Sequence, residues 1–184
     1  MGGTKEPRRE PRRLVPDEEF PPYSYVTGRF PHPVRDPDGH SHGEPPAVPQ
    51  SVDPQQWHVS RDYLWGCDLF NHGYYWEAHE AWEGVWHACG RRGTTADFLK
   101  GLIKLAAAGV KCREQRPDGV RRHAARSVEL FERVRQNVSG SRYMGLELAD
   151  LIETTQGIQR DPPTAPSEPS AVDIVFTARL LPRN

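Results

Sequence analysis

Residues Tyr74–Ala88 read YYWEAHEAWEGVWHA, with three tryptophans, two histidines and three glutamates in one short run. At about 100° per residue, Tyr74, Val85, Ala78, Trp82, Tyr75 and Trp86 cover one broad face of a helix. His79, Glu83, Trp76, His87 and Glu80 fill the adjoining arc. The ionisable groups therefore border the apolar face, which invites partial burial. A partly buried carboxylate or imidazole avoids a large desolvation penalty by changing protonation, by pairing, or by binding a metal.

The flanking sequence reads as further helices. Asp53 with Pro54, or else Ser60, is placed to start a helix whose stripe is Tyr63, Leu64, Cys67 and Phe70. The run Asn71-His72-Gly73 ends it, with Gly73 suited to the left-handed position after a helix. The opening stretch forms the second helix, to about Cys89. A third starts with Thr94 or Thr95 as cap and runs through DFLKGLIKLAAAGVKCREQ. Pro117 and Asp118 open a fourth, with Ala124, Val128, Phe131 and Val134 on one face. A short fifth covers LELADLIETT. Helices joined by short loops pack antiparallel, so the expected architecture is an all-α, compact bundle of about five antiparallel helices.

Proline marks the limits of that bundle. Twelve of the eighteen prolines lie in residues 1–56, five follow Arg160, and Pro117 alone lies between. Proline breaks helices. The chain therefore divides into a Pro-rich extended or disordered arm (1–52), a helical domain (53–156) and a C-terminal tail (157–184). The end of that tail, AVDIVFTARLL, is apolar enough to dock as a strand or coil. His32, His40 and His42 in the arm have no partner ligands at fixed spacing and are expected to be solvated. Three cysteines at wide spacing suit a reducing compartment. No segment reaches the roughly 18 apolar residues of a membrane helix, and the first twenty residues have no signal-peptide core. A cytoplasmic location with no membrane partner is expected. The formal charge of −1 gives no bulk sign of a nucleic-acid binder. The arginines of the fourth helix are interleaved with Glu129 and Glu132, so nucleic acid is an unfavoured partner.

The candidate polar cluster is Glu77, His79, Glu80, Glu83 and His87, with Lys100 and Lys104 of the third helix as counter-charges. His79 and Glu83, at i and i+4, can share one divalent ion, with Glu80 as a base. His79 and His87 stand roughly 12 Å apart along the helix and cannot share it. Other ligands would have to come from Asp68, His72 or His123. Pairing is the favoured alternative, because Lys100, Lys104 and Lys111 form one stripe that could face Glu80 and Glu83. No cofactor is therefore assigned, although these residues could hold a divalent metal.

The strings LFNHGYYWEAHEAWEGVW, FLKGLIKLAAAGVK and GVRRHAARSVELFERV together resemble the domain of unknown function 309 (DUF309) family, over about Asp62 to Val134. The resemblance implies a small all-helical protein with hallmark residues Asn71, Gly73, Tyr74, Glu77, His79, Glu80, Glu83 and Trp86, followed by Gly101, Leu102 and Ala106. Trp76 and Gly101 join Asn71, Gly73, Tyr74 and Trp86 as structural positions. Lys100 and Lys104 stand where the family pattern has Gln, which implies a more basic pocket. No reaction is implied. Two functional classes remain. One is a structural or binding module, with a protein, a peptide or a second copy as partner. The other is a metal-dependent or acid–base hydrolase using His79, Glu80 and Glu83.

Overall fold

A computed structural model describes residues 12–45 and 48–183. Five helices dominate it: α1 (Arg61–Asn71), α2 (Tyr75–Ala88), α3 (Thr94–Arg113), α4 (Pro117–Asn137) and α5 (Leu148–Arg160). Each packs on the next in chain order. The architecture is the all-α bundle read from the sequence. α3 is its centre, because Phe98, Leu99, Leu102, Ile103, Leu105 and Ala106 are all buried and leave only a narrow stripe outside. Phe131 and Val134 of α4 close one side, and Trp82, Tyr75 and Val85 of α2 the other.

The helix starts and stops follow local chemistry. Ser60 precedes α1, and between Asp53 and Ser60 only a 3-10 turn, Trp57–Val59, forms, so the start at Asp53–Pro54 is not used. Gly73 ends the first helix at φ 91°, a conformation open to glycine because it lacks Cβ. Gly93, not a threonine, precedes α3. Pro117 opens α4 at a position where its missing N–H costs nothing. The sequence did not suggest the two-stranded hairpin β1 (Arg142–Tyr143) and β2 (Leu146–Glu147), turned through Met144 and Gly145 with positive φ.

Two stretches without helix wrap this bundle. Residues 12–45 lie along α1 and α2, burying Val15, Ser24 and Val26. Phe20 stacks on Tyr74 at 4.8 Å, and Arg13 lies 4.0 Å above the Phe20 ring. The tail buries Ala165, Phe176 and Leu180, with Phe176 against Phe70 and Tyr75.

Candidate functional site

The α1–α2 hairpin meets both wrapping stretches through side chains that bond to main chain. Asp68, fully buried on α1, accepts the N–H groups of Leu14 (2.8 Å) and Val15 (2.8 Å), and Arg13 lies 3.4 Å away. Asn71 accepts the Leu180 N–H at 2.7 Å and donates to the Leu180 carbonyl at 2.8 Å. The hydroxyl of Tyr75 accepts from Val175 (3.0 Å) and Phe176 (3.2 Å). Burial drives the Tyr75 phenol up to about 12, so it remains a neutral hydroxyl there. Glu77 accepts the Tyr25 N–H at 2.8 Å. Gly73 gives the tail its space: a Cβ there would come within 2.9 Å of the Asp173 carbonyl oxygen.

Around Glu77 the two stretches and the bundle converge. Arg113, at the end of α3, is 2% exposed and donates to the carbonyls of Ser24 (3.0 Å), Ser170 (3.2 Å) and Ala171 (3.3 Å). Its guanidinium also lies 3.5 Å from Asp173. Ser24 N–H donates to the Ala171 carbonyl, so arm and tail bond directly to each other. His40 is not solvated as expected. Its side chain is 8% exposed, packs on Tyr23, and brings Nε2 to 3.5 Å from Glu77. His32 likewise packs against the rings of Tyr25 and Trp76, which also meet each other. The arm supplied the cover that periodicity could not reveal.

The remaining sequence candidates lie along α2 and α3. His79 is half-buried and reaches Glu80 at 3.1 Å, while Glu80 itself is 48% exposed. Glu83 lies 3.7 Å from Lys100, whose ammonium also sits 3.9 Å above the Trp86 ring. Trp86 meets His87 edge-on at 5.0 Å, and His87 is exposed. Lys104 makes no hydrogen bond or ion pair among the described residues, and burial followed by Lys100 holds its ammonium below the usual lysine range. Lys111 bonds Glu114, which immediately follows α3. Tyr74 precedes α2 and stacks on Phe20, while Trp76 contacts Tyr25. Gly101 makes room for Phe131, and its carbonyl accepts from Ser127 at 2.8 Å. Thus Glu77 stands apart from His79, Glu80 and Glu83, whose ligand atoms fall within 4.8 Å of one another and could hold a metal.

Asp68, Tyr75 and Arg113 were missed as polar anchors. One signal for a covered outer face was present: Glu77, Ala81 and Gly84 repeat at i, i+4 and i+7. A Cβ at Gly84 would meet the Pro49 ring at 2.5 Å, so the glycine in this stripe admits the arm.

A small helical module with its ends strapped over one hairpin is the class these features define. Residues 63–123 match the family model described as domain of unknown function (DUF309). That match spans about a third of the chain and contains Asp68, Asn71, Gly73, Tyr75, Glu77 and Arg113, whereas the residues they hold lie outside it. No curated protein matches the chain. Among the described residues, no helix is long and apolar enough to cross a membrane.

Proposed function

We propose that this protein is a binding module that holds extended polypeptide by its main chain, and that its own arm and tail occupy the sites in cis. One observation carries the reading: Asp68, Asn71, Tyr75 and Glu77, on two adjacent helices, each accept a main-chain N–H from a segment without helix. A helix face that only filled a core would need no acceptors at those positions. Main-chain bonding gives affinity with little dependence on side-chain sequence, while Phe176 and Leu180 add apolar anchors.

A protease site placed in the exposed stretch 166–169 of the full chain tests this. After cutting, the tail fragment is expected to co-elute with the helical part, and Asn71→Ala combined with Tyr75→Phe is expected to release it. Synthetic tail peptide should then rebind the parent but not the double variant. Spontaneous release from the parent, with no rebinding, would refute the module.

The hydrolase reading draws on the proximity of His79, Glu80 and Glu83. Against it, all three ligands come from one helix and Lys100 already approaches Glu83. Its metal-dependent form requires stoichiometric zinc or manganese by elemental analysis, lost in His79→Ala.

A further inference from the structure

Outside α2, between the arm and the α1–α2 hairpin, lies a cleft of about 810 Å³. Five carboxylates line it, from Glu44, Asp62, Glu77, Glu80 and Glu83, together with the imidazoles of His40 and His87, and among the described residues no lysine or arginine does. Trp65, Trp76, Leu69, Pro33 and Pro49 supply apolar wall. Like charges gathered on a low-dielectric wall focus a field that draws cations. Glu77 is the most buried of the five, at 7% exposure, and its Oε2 has no hydrogen-bond partner among the described residues. Its other oxygen, Oε1, accepts the Tyr25 N–H and lies 3.5 Å from His40 Nε2, whereas the terminal N–H groups of the nearby Arg113 go to Ser24, Ser170 and Ala171. Lys100 approaches Glu83 alone.

We propose that this cleft binds a linear aliphatic polyamine. The carboxylates are hydrogen-bond acceptors, so the ligand must carry N–H donors, which a quaternary ammonium lacks. They are also several, whereas a single lysine side chain brings one charge. Ammonium groups separated by methylenes match both features, with the methylenes lying on proline and tryptophan surfaces and the charges near the rings. A compact divalent ion fits less well. It needs oxygens converging at roughly 2.0–2.6 Å, and the convergent group includes His79, which does not line the cleft.

Calorimetric titration of the full chain with spermidine at low ionic strength tests the assignment. One saturable site is expected, weakened at least tenfold in Glu77→Gln and about fivefold in Glu80→Gln. Glu80 is exposed and among the described residues bonds only His79, so Glu80→Gln keeps the test decisive if Glu77→Gln fails to fold. Magnesium at matched ionic strength should neither bind nor compete. Trilysine peptide should bind more weakly than spermidine. Non-saturable heats, equal competition by magnesium, tighter binding of trilysine, or unaltered affinity in Glu80→Gln would each overturn the proposal. None of these outcomes bears on tail retention, so the two readings fail separately.

Discussion

Asn71 uses both ends of its amide on one residue, Leu180, at 2.7 and 2.8 Å and wholly buried. Alanine there removes two hydrogen bonds and strands a buried N–H and a buried carbonyl. The expected loss is about 1–3 kcal/mol in urea unfolding, with faster hydrogen exchange at the Leu180 amide. Unchanged exchange at Leu180 would contradict the assigned contact. The sequence marks Asn71 and Gly73 clearly, but as the end of a helix. Their second duty was hidden because Leu180 and Asp173 lie about a hundred residues downstream. Glu77 was placed in the polar cluster for the same reason: its partner, Tyr25, sits in a stretch with no periodicity to align.

Helices were the legible elements. Apolar spacing located α1 to α5 to within a few residues, whereas two-residue strands such as β1 and β2 are too short to leave a pattern. The α4 arginines also behave as the interleaved charges suggested, since Arg126 pairs with Glu129 and Arg135 with Glu132. His123 on the same helix is different. Burial first, and then the charges of Lys104, Lys111, Arg122 and His79, push its imidazole down to about 4. The unfolded chain protonates a histidine near 6.5. Between those values the unfolded state binds a proton that the folded state refuses, so stability falls as pH drops from about 6.5 towards 4. The melting temperature of His123→Asn is expected to decline less steeply across that window. Parallel declines for parent and variant would remove His123 as the cause.

At the scale of the whole molecule, composition separated the proline-rich ends from the helices but could not say what the ends touch. Hydrophobic patterning sees only neighbours along one element, and the straps are read by buried polar atoms drawn from several. Ser24, Arg113 and Ala171 show this, joining arm, α3 and tail in one set of bonds.

The contact between Asn71 and Leu180 also sets an order of assembly. Helix hairpins close short loops, whereas a bond spanning 109 positions must first overcome a closure entropy larger by about 1–2 kcal/mol, and non-local contacts form later than local ones. Refolding should therefore proceed in two stages: ellipticity at helical wavelengths recovers early, and amide protection at Leu180 follows later. A newly coiled bundle would meanwhile stand with its acceptor side chains wet and unclaimed, open to any other strand that arrives first.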